Sequence, residues 1–194
     1  MNRVRITLGQ ATKGISQCSH LLIACVLVAV QFVQADTSGL RAATSESLYV
    51  AFVYKFAQFT RRNGENEATS TPIKFCFLAG SIDPKELSAI DGKRVGSRQT
   101  VVQIFEARSM PSDCHIAFFG ESLPPAKLCE LAATANASGA LTVSNAQNFD
   151  RCGQITFTVV DNRLRFIVNM AAVQLSRVTL SSELLNLAII RRGD

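Results

Sequence analysis

The residues best suited to chemistry stand side by side in the segment SDCHIAFFG, where Cys114 precedes His115. Such a pair could be a thiolate nucleophile with its base, part of a metal site, or one half of a structural disulfide. The apolar run that follows predicts a strand, on which adjacent side chains point to opposite faces. The two side chains therefore diverge, and either of the first two interpretations would need further residues.

Further residues of these types are scarce in the chain. The other histidine is His20, and the sequence contains no C-x-x-C pair and no nucleophile-elbow sequence around a serine. The glycine turns LAGSIDP and GKRVGSR lack the spacing of nucleotide-binding loops. We therefore predict that the protein is not an enzyme and has no catalytic residue, metal or cofactor. A thiol-based enzyme is the weakest hypothesis.

The first 35 residues predict an export signal. A basic start is followed by the apolar stretch from Leu21 to Val33 and by the small-x-small pattern before Asp36. This stretch is shorter than the roughly 20 residues of a membrane-spanning helix. We expect a cleaved signal peptide over residues 1–35, a single domain over 36–194, and a periplasmic location. Two alternatives stay open, namely lipidation of Cys25 in the segment LIAC and an uncleaved membrane anchor.

The net charge of +5 is concentrated at the start of the chain, where Arg3, Arg5 and Lys13 carry three positive charges. The remainder is only about +2, which gives no reason to expect a polyanion partner. We predict that the protein does not bind nucleic acid.

After removal of the signal, an even number of cysteines remains, namely Cys76, Cys114, Cys129 and Cys152. Exported proteins fold in an oxidising compartment, so these residues predict two disulfides. The sequence alone allows three pairings.

The apolar pattern predicts an α/β fold. Short apolar runs alternate with helical segments, which indicates a mostly parallel sheet covered by helices on both faces. Asp161-Asn162 marks a C-terminal antiparallel hairpin at the edge of that sheet. The predicted helices are 47–62, 84–90, 124–136, 170–175 and 181–190, and the predicted strands are 73–80, 100–107, 114–120 and 140–144, followed by the hairpin at 154–169.

Strand order suggests which cysteines could meet. In a parallel sheet of this kind the first strand commonly neighbours the third, so Cys76 and Cys114 could form one bridge. Cys129, on the helix after the third strand, and Cys152, before the hairpin, would form the other. Both bridges would stabilise the fold.

Arg163 and Arg165 stand two positions apart on a predicted strand and so share one face. They form either a solvated edge or a rim for an acidic protein surface.

Taken together, these segments resemble the YfiR family of periplasmic proteins. The resemblance covers about Ser47 to Ile189, and it rests on LYVAFVYKFAQF, GKRVGSR, CHIAFFGES, LTVSNAQNF and VVDNRLRFIVNMAA in this order. Where many members read F-E-x-N, this chain has Phe166-Ile167-Val168-Asn169.

The resemblance implies a regulatory function without catalysis. Members with known roles are repressors that bind the periplasmic part of an inner-membrane diguanylate cyclase, which lowers cyclic di-GMP and biofilm formation, and an outer-membrane lipoprotein can sequester them. The family also implies a homodimer, redox-sensitive disulfides, and a bridge that maps onto Cys76 and Cys114. The candidate partner-binding residues are Arg163, Arg165 and Asn169.

A second hypothesis comes from the predicted sheet alone. Open α/β sheets bind small ligands at the carboxyl ends of their strands. The alternative function is therefore a periplasmic small-ligand binding or sensor module without a cyclase partner.

Overall fold

The computed structural model describes residues 37–65 and 70–192, with side chains from residue 45 onward. The expected signal peptide, Cys25 and the cleavage site near Ala35 lie outside the described residues. The chain divides into two compact units, Met1–Arg41 and Ala42–Asp194. The description below concerns the second unit, together with the first turn of the helix that leads into it.

Five helices, one 3-10 turn and ten strands follow one another in the described residues. The helices are α1 (Thr37–Gln58), α2 (Pro84–Leu87), α3 (Pro125–Ala137), α4 (Met170–Gln174) and α5 (Ser182–Leu187), and the 3-10 turn is Phe149–Arg151. The strands are β1 (Thr60–Arg62), β2 (Ile73–Leu78), β3 (Arg94–Val95), β4 (Arg98–Phe105), β5 (Ile116–Phe119), β6 (Leu141–Ser144), β7 (Ile155–Val160), β8 (Arg163–Asn169), β9 (Val178–Leu180) and β10 (Ile189–Arg191).

Eight of these strands form the central sheet, in the order β10-β8-β7-β6-β5-β2-β4-β3. The run β4-β2-β5-β6-β7 is parallel throughout, and its order is that of a doubly wound sheet. β7 and β8 form the predicted antiparallel hairpin, and both turn residues, Asp161 and Asn162, have positive φ. The α/β fold with a mostly parallel sheet is confirmed.

The structure corrects three details of the prediction. α1 ends at Gln58, and Thr60–Arg62 form a strand that pairs with β9 in a separate two-stranded sheet. The last predicted helix ends at Leu187, and the residues after it form β10, which pairs in parallel with β8. The hairpin is therefore not the edge of the sheet, because β10 covers the last three residues of β8.

One face of the sheet packs against α1. Val50, Val53 and Ala57 recur at helical spacing and are buried, as is Phe56. The Phe56 ring stacks on Phe157 of β7 with ring centroids 5.8 Å apart. A fully buried phenylalanine contributes about 1.5–3 kcal/mol through the surface it removes from water. This aromatic layer is the larger of the two cores.

The other face packs against α3, which begins with Pro125 at its first turn. Its buried residues Leu128, Leu131, Ala132 and Ala135 recur at helical spacing and contact the sheet side chains Cys76, Ala117 and Phe119, among others. Helices thus cover both faces. β2 is consequently apolar along almost its whole length, which is the pattern that the sequence presented.

Candidate functional site

Cys114 and His115 do not form a reactive pair. The Cys114 sulfur is bonded to Cys76 at 1.94 Å, and this bridge links β2 to the segment that enters β5. The His115 ring lies against the start of β2, where its Nδ1 accepts a hydrogen bond from the backbone N–H of Lys74 at 3.1 Å. The two neighbours therefore serve separate structural contacts.

The second disulfide joins Cys129 of α3 to Cys152, which follows the 3-10 turn, with a sulfur–sulfur distance of 1.99 Å. Both pairings are those that the strand order suggested. The first bridge is completely buried, whereas Cys129 and Cys152 are partly exposed. The bridges thus fasten neighbouring strands on one side and a helix to the sheet on the other.

A cavity of about 880 Å³ opens at the amino ends of β2, β4 and β5. Its walls also include the end of α1, the β3–β4 turn, and strands β1 and β9. Cavities of this size hold small molecules in many proteins. The sequence reasoning placed a ligand at the carboxyl ends of the strands, and this cavity is at the opposite edge of the sheet. At the carboxyl edge the structure has a smaller, largely apolar cavity of about 450 Å³ beside Leu78 and Ile104.

In the cavity wall, one carboxylate oxygen of Glu65 contacts the side chains of both Arg98 and His115. Glu65 Oε1 lies 2.8 Å from Arg98 Nη1 and 3.0 Å from His115 Nε2. The Nδ1 of His115 accepts from Lys74, so the ring proton is on Nε2, which donates to Glu65. Arg98 Nη2 also lies 2.7 Å from Nε2. Both of these nitrogens carry hydrogens, so they do not bond to each other. They lie close together because Arg98 and His115 both bind the same oxygen of Glu65.

Burial and charge set the ionisation of this cluster. Burial, followed by the positive charge of Arg62, lowers the pKa of His115 against the opposing effect of Glu65. Burial alone would raise the pKa of Glu65, but the hydrogen bond from His115 and the nearby charges of Arg98 and Arg62 together lower it. The cluster therefore holds a neutral imidazole and an ionised carboxylate at neutral pH.

Arg62 closes the cavity next to this cluster. Its Nε donates to the carbonyl of Gly139 at 3.0 Å, and its Nη2 donates to the carbonyl of Cys114. Arg62 thereby connects β1 to the residues that immediately precede β5 and β6. Burial, opposed by Glu65, lowers the pKa of the Arg62 guanidinium, and the charge of Arg98 adds to the lowering.

The proposed partner-binding residues lie elsewhere, on the β7–β8 hairpin. Arg163 and Arg165 are exposed, and their partners across the hairpin are Val160 and Thr158. Asn169 differs from them, because it is 7% exposed and its side chain is used within the fold. Its Oδ1 accepts from the backbone of Ala172 at the start of α4, and its Nδ2 donates to the Asp150 carbonyl. We therefore leave Asn169 out of the partner surface.

Two exposed apolar residues share the face of the two arginines. Val160 is 42% exposed and Ile189 of β10 is 38% exposed. The register places Ile189 beside Ile167, which shares a face with Arg165. We call this face, formed by Val160, Arg163, Arg165, Ile167 and Ile189, the hairpin face.

The sequence analysis missed the cavity cluster. Arg62 and Glu65 come from one segment and Arg98 and His115 from two others, and no recognisable motif links the three segments along the chain. The adjacent arginines at 61 and 62 were the only local signal, and they were assigned to the end of a helix. Pairing between β1 and β9 turns that segment into a cavity wall.

Comparison with known protein families gives one match. The model of the YfiR/HmsC-like family matches residues 46–189, which include both disulfides, the cavity cluster and the hairpin face. No curated protein matches the sequence significantly. Among the described residues, no helix has the length and apolar character required to cross a membrane.

Proposed function

Because the chain belongs to the YfiR/HmsC-like family, we propose that it is an exported regulator that binds the periplasmic part of an inner-membrane diguanylate cyclase and represses it. Repression lowers cyclic di-GMP and thereby biofilm formation. The family is a regulatory one, which agrees with a reactive-looking cysteine and histidine that are both committed to the fold. Two disulfides suit a protein that folds in the oxidising periplasm.

The hairpin face is the observation that most supports the proposal, because it offers a member of this family a surface for binding another protein. On this face two exposed apolar residues, Val160 and Ile189, and the partly buried Ile167 lie beside two exposed arginines. Interfaces combine a central apolar contact with charged groups that select and orient the partner. The hairpin face therefore fits a cyclase segment that presents apolar and acidic side chains.

The proposal extends to the assembly and control of the repressor. We propose that it acts as a homodimer, that an outer-membrane lipoprotein can sequester it, and that reduction of its disulfides weakens repression. Light scattering on the purified exported protein measures the dimer. A monomer at micromolar concentration would contradict this part of the proposal and leave the cyclase interaction standing.

Deletion of the gene in its own host tests the function directly. We expect cyclic di-GMP and biofilm mass to rise, and the increase to disappear when the gene is restored. The variant Arg163→Glu/Arg165→Glu should fail to restore repression, since it repels acidic partner groups. Lys93→Glu/Arg108→Glu is the matched control, because both residues are exposed and lie away from the hairpin face. If the hairpin variant represses as well as the control, the partner surface is elsewhere.

A further inference from the structure

We infer that the cavity at the amino ends of β2, β4 and β5 binds a small organic anion, namely an oxyanion group joined to an apolar body. This inference does not depend on the proposed cyclase interaction, because it concerns other residues at the opposite edge of the sheet. The hairpin turn follows β7 at the carboxyl edge, whereas the cavity is lined by the first residues of the parallel strands.

The walls of the cavity provide the apolar half of the site. Ile73, Val95, Ile116 and Val178 line it, and each of these side chains is at most 9% exposed. They come from four different strands and belong to the larger core. An apolar group that enters the cavity therefore contacts a rigid surface that is already formed.

Positive charge provides the other half. Among the described residues, the cavity is lined by Arg61, Arg62 and Arg98, with Glu65 as the one opposing carboxylate and His115 neutral. Glu65 is committed to Arg98 and His115 through a single oxygen. The described lining thus carries about two positive charges in excess, and a partly desolvated site strengthens their attraction for an anion.

Two polar groups remain available to such an anion within the described part of the chain. Arg62 uses Nε and Nη2 for the carbonyls of Gly139 and Cys114, and its Nη1 has no acceptor there. Thr60 also lines the cavity, and its hydroxyl oxygen is buried without a hydrogen-bond partner among the described residues. A buried group without a partner costs stability, so a ligand oxygen that reaches it gains affinity.

The repulsion between the partly buried guanidinium groups of Arg62 and Arg98 also favours binding of an anion. Burial and the charge of Arg98 both lower the pKa of Arg62, so the fold holds this cation at a cost. Arg98 is held by its ion pair with Glu65 and by hydrogen bonds to the carbonyls of Thr71 and Pro72, which fix its position. An oxyanion beside Arg62 would offset that cost, and the planar guanidinium suits a carboxylate or phosphate group.

Titration calorimetry on the purified exported protein, with both disulfides formed, tests the inference with benzoate, phenyl phosphate, benzamide and inorganic phosphate. We expect the two aromatic anions to bind at least about tenfold more tightly than neutral benzamide and inorganic phosphate. Equal affinity for benzamide and benzoate would overturn the role of charge. Equal affinity for inorganic phosphate would overturn the role of the apolar walls, and no saturation by either aromatic anion at about 10 mM would overturn the site itself.

Variants place the site within the fold. Ser97 is exposed at the β3–β4 turn and lines the cavity, so Ser97→Asp should weaken binding of the aromatic anions about fivefold or more by repulsion. Ser122→Asp adds the same charge at the carboxyl edge and should leave binding unchanged. Arg62→Lys, checked for native circular dichroism, should also weaken binding, since lysine lacks the planar fork. Equal binding by Ser97→Asp and Ser122→Asp would show that the anion binds elsewhere.

Discussion

The two ring nitrogens of His115 bond to different kinds of group, one to a backbone N–H and the other to a carboxylate. Its Nδ1 satisfies the Lys74 N–H at the start of β2, and its Nε2 holds Glu65 against Arg98. Protonation of Nδ1 would set two donors against each other and break the bond to Lys74. The folded structure therefore requires the neutral ring, and protonation at low pH destabilises it.

The pH dependence of stability tests this role. The folded-state pKa of His115 is lowered, so the unfolded chain binds the proton first and the free energy of unfolding falls as pH drops below about 6.5. The lowered pKa of Glu65 adds a loss in the same direction at lower pH. We expect the free energy of unfolding, measured by urea denaturation, to decline between about pH 7.5 and pH 5, by up to about 1.4 kcal/mol for each unit by which the folded-state pKa is lowered.

The variant His115→Gln removes the titrating ring and keeps a side chain that can accept from Lys74. Its free energy of unfolding should be lower at pH 7.5 but change less between pH 7.5 and pH 5 than that of the native chain. If both proteins show the same slope, His115 does not determine the acid sensitivity.

Gly153 marks a close approach next to the second disulfide. A Cβ at this position would lie 1.9 Å from Cε1 of Phe149, in the 3-10 turn. We expect Gly153→Ala to lower the free energy of unfolding by about 1–3 kcal/mol through overpacking, measured by urea denaturation. Phe149→Leu/Gly153→Ala is the control, because the smaller side chain leaves room. Strictly additive losses in the double variant would contradict the steric explanation.

At the scale of elements, the sequence predicts those helices and strands that are set by local pattern. It does not predict the strands that form only by pairing with a distant segment. The near-continuous apolar run of β2 and the Asp161-Asn162 turn are local signals, and both predicted the correct structure. Thr60–Arg62 continue the polar spacing of α1, so the sequence there favours a helix. Their strand conformation comes from pairing with Val178–Leu180, more than a hundred residues away, which no local window contains. β10 escaped prediction for the same reason, since its partner is the distal end of β8.

The two disulfides should differ in their resistance to reductant. Cys76 and Cys114 are completely buried between the sheet and α3, whereas Cys129 and Cys152 are partly exposed. Thiol exchange requires access to the sulfur, so dithiothreitol should open the Cys129–Cys152 bridge first under native conditions. Timed alkylation and mass spectrometry of the cysteine peptides measure the order. Labelling of Cys114 before Cys152 would contradict this prediction.

At the scale of the whole molecule, the cavity and the hairpin face lie at opposite edges of one sheet. The hairpin arginines could be proposed from the sequence, because two positions apart on a strand means one face. The cavity could not, since its cations come from β1 and β4, its carboxylate comes from the loop before β2, and these groups meet only in the folded chain. Asn169 was selected through a family motif, and its capping contact with α4 became visible only in the structure.

The separation of the two sites can be measured. Arg163→Glu/Arg165→Glu should bind benzoate with the affinity of the native chain, while Ser97→Asp should repress the cyclase normally in the absence of any added anion. Calorimetry and cyclic di-GMP levels give the two readouts. A loss of benzoate affinity in the hairpin variant would show that the two edges of the sheet do not act independently.

The two-stranded sheet of β1 and β9 has a consequence for how the protein is made. Thr60 pairs with Leu180 and Arg62 with Val178, so the segment after the first helix is held by a strand near the end of the chain. Such a distant contact forms late, because a long loop must close first. A chain that is still being made therefore lacks this fastening until almost all of it is present. We expect the cavity, whose walls include both strands, to be the last part of the molecule to take shape.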